Sequence, residues 1–311
     1  MLDVIAIGEC MIEFFAEQSI AEAPSFVKAV GGDALNNVAA AQRMGSPTGF
    51  ITRVGDDPFA PYLLQSWQAM GIDTSHCHVV PGFNGIYFIS LLPGAEREFT
   101  YYRKGSAPAT MEPSDLDPAY IANARILLVT GVTQAISPSA RATALHAAQI
   151  ARAQGVRVAY DPNLRLKLWP LDEARRGLAE ILPYVTIALP GGPQESQVLL
   201  GIDSPQAIVE HFWRAGVDVV ALKWGMTGSW IGERATGAMT LVPPLPGITA
   251  RDTTGAGDAF NGAFLHGLCE GMSPVEAARL GMISAALKVR GRGAVASLPS
   301  RDEVYAIYQR S

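Results

Sequence analysis

The chain has 311 residues, of which 49% are hydrophobic and 17% charged, so it can bury a sizeable core. Its formal net charge of −5 disfavours nucleic acid or an anionic membrane surface as a partner, because both repel an acidic protein. Three widely separated cysteines favour a reducing compartment, and the lack of a signal-peptide pattern or a long apolar run makes the cytoplasm the expected location.

The first part of the chain alternates strands with helices. Residues 4–7 form an apolar run that predicts a buried strand. Residues 31–45 begin with two glycines, continue with apolar residues at helical spacing and end with a glycine, which predicts a glycine-rich loop followed by a helix. A strand is expected over 49–54, and Asp57 is expected to cap a helix that runs to Gly71.

Residues 82–107 interrupt this alternation. Two segments, 85–92 and 98–103, have the composition of strands and are separated by a short turn with no helix. Together with residues 11–30 we expect them to form a small β lid over a ligand. The polar and aromatic side chains of the hairpin are Tyr87, Tyr101, Tyr102, Arg103 and Lys104. They suit the covering of a small anionic substrate, and equally a subunit interface that makes a homodimer or a larger oligomer.

From residue 125 the alternation of strands and helices resumes. The expected strands cover 126–130, 156–160, 185–189 and 217–222, and a terminal antiparallel pair covers 229–231 and 239–242. Strands separated by single helices predict one α/β domain over 1–311, with a doubly wound, mostly parallel sheet flanked by helices. Ligands bind at the carboxyl ends of such strands, so the loops at 31, 161, 223 and 252 are expected on one edge of the sheet.

The segment 252–265 carries the strongest chemical signal. Its glycines lead directly into an apolar helix, whose first N–H groups have no helical partner and can bind an anion. A carboxylate at Asp258 would repel a phosphate, so it is unexpected in a loop that only binds one. Its presence is explained if it accepts the proton of an attacking hydroxyl while the N–H groups of Gly255, Ala256 and Gly257 stabilise the phosphoryl charge. The simpler alternative is a tight turn whose aspartate only caps the helix.

Two motifs resemble the two signatures of the ribokinase-like (PfkB) family of carbohydrate kinases. The first, over 31–39, begins with Gly-Gly and contains Asn36; the second, over 252–260, reads Asp-Thr-Thr-Gly-Ala-Gly-Asp-Ala-Phe. The resemblance covers essentially the whole chain. It implies a ribokinase-like fold and ATP-dependent phosphorylation of a sugar-like hydroxyl, with Asp258 as general base and the amides of 255–257 as the anion hole.

The resemblance also implies the residues that contact each ligand. The sugar is expected to contact Gly32, Asp33, Asn36, Tyr87, Tyr101, Arg103 and Arg165. ATP is expected to contact Asn163, Arg165, Glu195, Lys223, Gly225, Gly228, Gly255 and Gly257. Mg²⁺ would accompany ATP, held through water by Glu195, and a monovalent cation such as K⁺ would lie between Asp252 and a loop at 293–294. Many members carry Asn-x-x-Glu where this chain has Gly-Pro-Gln-Glu at 192–195, which implies a looser or water-filled metal site.

Three segments, 85–87, 101–107 and 161–169, resemble the 2-keto-3-deoxygluconate kinases of this family. They imply that the terminal hydroxyl of 2-keto-3-deoxygluconate is phosphorylated. A carboxylate substrate needs fixed cationic donors, which Arg103 and Arg165 offer. Arg165 can instead contact ATP, and Arg103 a neighbouring subunit. A kinase for a neutral sugar such as fructose and a catalytically silent sensor of sugar or nucleotide are the alternatives.

Overall fold

The computed structural model describes residues 1–91 and 97–310. Within these residues the strands are β1 (Leu2–Ile7), β2 (Met11–Ala16), β3 (Val27–Gly31), β4 (Thr48–Gly55), β5 (Cys77–Val80), β6 (Gly85–Leu91), β7 (Arg97–Tyr102), β8 (Ala124–Thr130), β9 (Arg157–Asp161), β10 (Ile187–Ala188), β11 (Val219–Lys223), β12 (Ser229–Glu233) and β13 (Ala238–Val242). The helices are α1 (Asp33–Met44), α2 (Ala60–Ala69), α3 (Pro118–Ala122), α4 (Gly131–Ala135), α5 (Pro138–Ala153), α6 (Leu171–Ile181), α7 (Gln194–Leu200), α8 (Pro205–Arg214), α9 (Ala256–Cys269), α10 (Pro274–Lys288) and α11 (Arg301–Tyr308).

Among the described residues, the larger sheet has nine strands in the order β13-β12-β11-β10-β9-β8-β1-β4-β5. Neighbouring strands are parallel from β11 to β5, and β12 is antiparallel to both β11 and β13. Helices cover both faces of this sheet. The predicted doubly wound, mostly parallel α/β fold is therefore confirmed, including the antiparallel pair at one edge.

The alternation of side chains along β1 explains the two helical layers. Val4 and Ala6 pack into the core that includes residues of α1, α2, α9 and α10, whereas Ile5 and Ile7 pack into the core that includes residues of α5, α6 and α8. Successive side chains of a strand point to opposite faces, so a strand that is apolar throughout needs a helical layer on each side. All four side chains are fully buried.

A second sheet has the strand order β3-β2-β6-β7. β2 is antiparallel to β3 and parallel to β6, and β6 is antiparallel to β7. The turn expected between the last two strands lies outside the described residues. The four strands come from the segments assigned to the lid by sequence, but the role of this sheet as a lid of a single domain stays a prediction.

One helix start differs from the sequence-based expectation. Asp57 was predicted to cap α2, yet the helix begins at Ala60. The carboxylate of Asp57 instead accepts the N–H of Phe59 at 2.8 Å and hydrogen bonds from both the backbone and the side chain of Asn84 at 2.7 Å. A short acidic side chain can stabilise a turn as readily as a helix start, and here the hydrogen bonds from Asn84 hold Asp57 in a turn. Among the described residues, no helix combines the length and apolar character needed to cross a bilayer.

Candidate active site

The amino end of α9 contains Asp258 and the predicted anion hole. Gly255 precedes the helix in a left-handed conformation with φ 75°. The N–H of Ala256 already donates to the carbonyl oxygen of Thr253 at 3.1 Å. Of the three amides predicted for the anion hole, those of Gly255 and Gly257 donate no hydrogen bond within the described residues. These two N–H groups, and not that of Ala256, are therefore the ones available to an anion.

Two asparagines of α1 hold the carboxylate of Asp258. Asn36 Nδ2 donates to Oδ2 at 2.8 Å, and Asn37 Nδ2 lies 3.4 Å from Oδ1. Burial raises the pKa of Asp258, while the hydrogen bond from Asn36 opposes this rise. The carboxyl group is in the first turn of α9 and does not cap it. A carboxylate with a raised pKa is a stronger base, which suits proton removal from a hydroxyl.

The two helices approach closely enough for these contacts because of a glycine. A Cβ placed on Gly262 would lie 2.5 Å from Ala40 Cβ and 2.6 Å from the Asn37 carbonyl oxygen. Only a residue without a side chain permits this separation between α1 and α9.

The start of α1 places Asp33 close to Asp258. Gly32 precedes the helix with φ 126°, and a Cβ there would lie 2.7 Å from the Glu9 carbonyl oxygen. Asp33 Oδ1 accepts a hydrogen bond from the side chain of Asn163, whose backbone has the uncommon φ of 34°. Burial raises the pKa of Asp33 to about 8, and the negative charge of Asp258 adds to the shift.

A polar cluster lies at the carboxyl ends of β9 and β11. Lys223 Nζ donates to Asp161 Oδ2 at 2.6 Å and to Asn261 Oδ1 at 3.1 Å. The side chain of Asn261 also donates to Asp161 at 2.6 Å and to Asn37 at 2.9 Å. Lys223 Nζ lies 3.8 Å from the position that a Cβ would take on Gly257. The ammonium group is therefore beside Gly257, one of the two residues whose amides are available to an anion.

Glu195 was predicted to serve Mg²⁺ through water. Its Oε1 accepts the N–H of Gly191 at 2.8 Å, and its Oε2 accepts that of Leu164 at 3.0 Å. Burial raises the pKa of Glu195, and the Asp161 carboxylate raises it further. Among the described residues, no group of three or more His, Cys, Asp or Glu side chains is arranged to hold a metal. One or two carboxylates that leave most ligands to water and phosphate nevertheless fit the preference of Mg²⁺.

The two arginines predicted for the substrate differ in their surroundings. Arg103 donates to Glu9 Oε2 at 2.6 Å, and Glu9 is only 1% exposed. Burial raises the pKa of Glu9, although the charge of Arg103 acts in the opposite direction. Arg165 is exposed, and its guanidinium donates to the carbonyl oxygen of Leu164 at 3.1 Å. Arg165 thus keeps a charge without an acidic partner in the described residues, whereas that of Arg103 is balanced by Glu9.

Two aromatic side chains of the small sheet, Tyr87 and Tyr101, line the same pocket as Arg103. The Tyr87 hydroxyl donates to Glu13 Oε2 at 2.5 Å, so its proton is not available to a ligand. Tyr101 stacks on Tyr87 with ring centroids 5.6 Å apart, and the Arg103 guanidinium lies 4.6 Å from the Tyr101 ring centre. A stacked cation keeps its orientation more firmly than a solvated one.

The predicted residues line two pockets that adjoin at Asp258. The smaller, of about 110 Å³, is lined by every residue predicted for the sugar: Gly32, Asp33, Asn36, Tyr87, Tyr101, Arg103 and Arg165. The larger, of about 880 Å³, is lined by most of those predicted for ATP: Asn163, Arg165, Glu195, Lys223, Gly255 and Gly257. Gly225 and Gly228 line neither, because they form the turn between β11 and β12.

Asp252 precedes the loop that leads into α9 and lines neither pocket. Its Oδ1 accepts the N–H of Thr254 at 2.8 Å, and its Oδ2 accepts that of Gly293 at 2.9 Å. Burial alone would raise the pKa of Asp252, but these hydrogen bonds and the charge of Lys288 outweigh it and lower the pKa. The monovalent cation expected here stays a prediction.

The chain matches the family described as pfkB family carbohydrate kinases over residues 1–301. It belongs to the pfkB family of carbohydrate kinases. The family predicted from the two motifs is thereby confirmed, and with it the general activity: this protein is an ATP-dependent sugar kinase, a phosphotransferase that acts on an alcohol group.

Similar proteins cover nearly the full length of the kinase. It is 33% identical to the 2-dehydro-3-deoxygluconokinase of Thermoproteus tenax, with 97% of this chain and 93% of the relative covered. It is 32% identical to fructokinase-1 of Oryza sativa subsp. japonica, with 98% and 97% covered. The structure of a candidate ribokinase II from E. coli in complex with ATP and Mg²⁺ superposes with a TM-score of 0.90 at 24% identity, and each chain is fully covered. The two relatives differ in substrate, so family membership does not fix the sugar.

Several residues of the kinase site were not foreseen from the sequence. Asn261 follows Asp258 by three positions, the spacing that puts two side chains on one face of a helix. Asp161 and Glu9 follow buried strands, where the carboxyl ends of a parallel sheet gather polar residues. These three carried a usable signal. Asn37 and Glu13 carried none, because their roles depend on helix packing and on the second sheet.

Proposed function

We propose that the kinase phosphorylates the terminal hydroxyl of 2-keto-3-deoxygluconate with ATP. The observation that carries this proposal is that Arg103 and Arg165 line the same small pocket as Asp258. A sugar acid that points its carboxylate at two guanidinium groups presents its far end to the base. The similarity to 2-dehydro-3-deoxygluconokinases of Thermoproteus tenax and Bacillus subtilis supports the same substrate.

The lining of the small pocket also suits a polyhydroxylated ligand. Glu9 Oε1, Asp33 Oδ2 and Asn36 Oδ1 are buried and have no hydrogen-bond partner within the described residues. A buried polar atom without a partner costs about 1–3 kcal/mol. Sugar hydroxyls both donate and accept hydrogen bonds and would supply the partners, so part of the binding free energy would come from satisfying these three atoms.

The chemistry then follows from the neighbours of Asp258. Its carboxylate takes the proton of the terminal hydroxyl, whose oxygen attacks the γ-phosphorus of ATP while the bond from this phosphorus to the bridging oxygen of ADP breaks. The N–H groups of Gly255 and Gly257 and the ammonium group of Lys223 stabilise the charge on the transferred group. Bound Mg²⁺, held through water by Glu195, would neutralise further phosphate charge.

Removal of one guanidinium group tests the proposal. A charge-assisted hydrogen bond contributes about 1.5–3 kcal/mol, so Arg103→Ala is expected to raise the KM for 2-keto-3-deoxygluconate about 10- to 100-fold and to leave that for fructose nearly unchanged. Arg214→Ala, on the exposed side of α8, serves as the matched control. Equal effects of Arg103→Ala on acid and neutral sugars would exclude the acid substrate.

A neutral sugar such as fructose is the second candidate, and the ion pair between Glu9 and Arg103 favours it. Because Glu9 already balances the charge of Arg103 at 2.6 Å, a substrate carboxylate would compete with a buried one. The rice relative is a fructokinase. Turnover with 2-keto-3-deoxygluconate, its galactonate epimer, fructose, ribose and adenosine, each with ATP, decides between the two candidates.

Oligomer and location are proposed on more limited grounds. The small sheet exposes Val27 and Tyr102 by 68% and 60%, which supports a homodimer or larger homo-oligomer through this sheet. Light scattering on Tyr102→Glu would test it, with loss of the dimer as the expected result. All three cysteines are free thiols, which is in keeping with the cytoplasm, where ATP is also available.

A further inference from the structure

Lys288 is a buried cation that the phosphoryl-transfer chemistry described above does not use. It is the last residue of α10 and is fully buried. Its Nζ donates to the carbonyl oxygen of Asp252 at 3.0 Å. A buried ammonium group is costly unless opposite charges and hydrogen bonds surround it, so its presence at this place requires an explanation.

Asp252 connects Lys288 to the phosphate-binding loop, which comprises residues 253–257. The carbonyl oxygen of Asp252 accepts the hydrogen bond from Lys288. Its carboxylate accepts hydrogen bonds from the N–H of Thr254 at 2.8 Å and from that of Gly293 at 2.9 Å. Its backbone N–H also donates to the carbonyl oxygen of Val289 at 2.9 Å. The residue directly after Thr254 is Gly255, whose amide belongs to the anion hole. Asp252 is therefore a junction between the end of α10 and the loop that receives the transferred group.

A second buried carboxylate under the electrostatic influence of this lysine is Glu13, which belongs to the small sheet. Glu13, on β2, is 2% exposed and accepts the Tyr87 hydroxyl. Burial raises the pKa of Glu13; the hydrogen bond from Tyr87 opposes the rise most strongly, and the positive charge of Lys288 opposes it more weakly. The lysine thus contacts Asp252, which anchors the phosphate-binding loop, and its charge has a weaker effect on Glu13, which holds Tyr87 in the wall of the small pocket.

We propose that Lys288 is a built-in cation that positions the phosphate-binding loop through Asp252, so that this kinase needs no added monovalent cation. A fixed ammonium group attracts the Asp252 carbonyl oxygen and balances the nearby carboxylates, as a bound K⁺ ion would. Lys288 is a positioning residue, since it contacts neither pocket. The proposal does not depend on which sugar is phosphorylated.

The first test uses the unmodified protein. Turnover with the best sugar of the panel is measured in potassium, sodium and tetramethylammonium chloride at equal ionic strength, together with ADP binding by calorimetry. Both quantities are expected to be the same in the three salts. A rate or an ADP affinity that falls in tetramethylammonium chloride and returns with potassium would overturn the proposal, and this measurement needs no variant.

Two substitutions then separate charge from packing. Lys288→Met keeps most of the volume and removes the charge, while Lys288→Ala also leaves space for a small cation. A misplaced catalytic loop costs about 10²-fold in rate, so kcat is expected to fall by about that factor with little change in ADP affinity, because ADP lacks the transferred group. Ammonium or potassium ions are expected to restore part of the kcat of Lys288→Ala.

The matched control is Ser284→Ala, one turn earlier on the same buried face of α10. It is expected to keep the wild-type kcat and to gain nothing from added cations. A wild-type kcat for Lys288→Met, or an equal loss of kcat in Ser284→Ala and Lys288→Met with no rescue by cations, would overturn the proposal. Circular dichroism and melting temperature identify variants that fail to fold, and in that case the salt comparison on the unmodified protein decides.

Discussion

Asn36 Nδ2 donates a hydrogen bond to Asp258 Oδ2 at 2.8 Å, although the two residues are 222 positions apart. The contact joins the first turns of α1 and α9, which directly follow Gly32 and Gly255 respectively. Both family motifs therefore meet in one hydrogen bond. Because the donor stabilises the charged form of the acid, Asn36 limits the rise in the pKa of Asp258 that burial causes, and it also holds the carboxylate in place.

Asp258→Asn tests the base directly. The amide cannot accept the proton of the substrate hydroxyl, so kcat is expected to fall about 10²- to 10⁴-fold. Binding of ADP should remain, because Asp258 is not one of the phosphate donors. A coupled ADP-release assay and calorimetry measure the two effects. Unchanged turnover would exclude Asp258 as the general base.

Asn36→Ala is expected to move the acidic limb of the pH profile. A general base works only when deprotonated, so kcat/KM declines as the pH falls through the pKa of Asp258. Since the hydrogen bond from Asn36 lowers this pKa, its removal raises the pKa and shifts the limb towards higher pH. The control is Asn37→Ala, whose contact with Asp258 is longer, at 3.4 Å, and which should shift the limb less. A larger shift in the control would contradict the assignment.

Asp33 makes the stability of the ligand-free kinase depend on pH. Its pKa in the folded state is about 8, above the ordinary value of an aspartate. Between roughly pH 4 and pH 8 the folded state therefore binds more protons at this site than the unfolded state, and stability falls as the pH rises through this window. Asp33→Asn should reduce the slope of melting temperature against pH. An identical slope in wild type and variant would contradict the raised pKa.

Gly262→Ala is expected to separate the two helices of the site. The new methyl group would lie 2.5–2.6 Å from Ala40, Ala41 and Asn37, and two of these contacts are with backbone atoms that cannot rotate away. Overpacking of this kind costs about 1–3 kcal/mol of stability. The contact between Asn36 and Asp258 should lengthen at the same time, so kcat should fall along with the melting temperature. A variant with wild-type values for both would show that the close approach is dispensable.

The sequence predicted the parts of the site that local patterns encode. Glycines before an apolar helical run identified the starts of α1 and α9, and strand patterns placed their ends on one edge of the sheet. The pattern could not show that the Ala256 amide is used by Thr253, that Glu9 balances Arg103, or that Lys288 reaches Asp252. These three facts depend on side chains from distant segments and on loop geometry, which have no periodicity. A lysine in the last turn of a helix is in itself an ordinary feature.

Glu9→Gln also distinguishes the two candidate substrates. It changes the partner of Arg103, whereas Arg103→Ala removes the guanidinium group itself. The amide keeps the size of the glutamate but no longer balances the guanidinium charge, so Arg103 becomes available to a ligand carboxylate. The KM for 2-keto-3-deoxygluconate is expected to fall, while that for fructose stays the same or rises because a hydroxyl loses a charged acceptor. Initial rates over a range of each sugar at saturating ATP give both values. If the variant binds the acid no better than wild type, Arg103 does not meet the substrate carboxylate, and the neutral-sugar candidate gains the advantage.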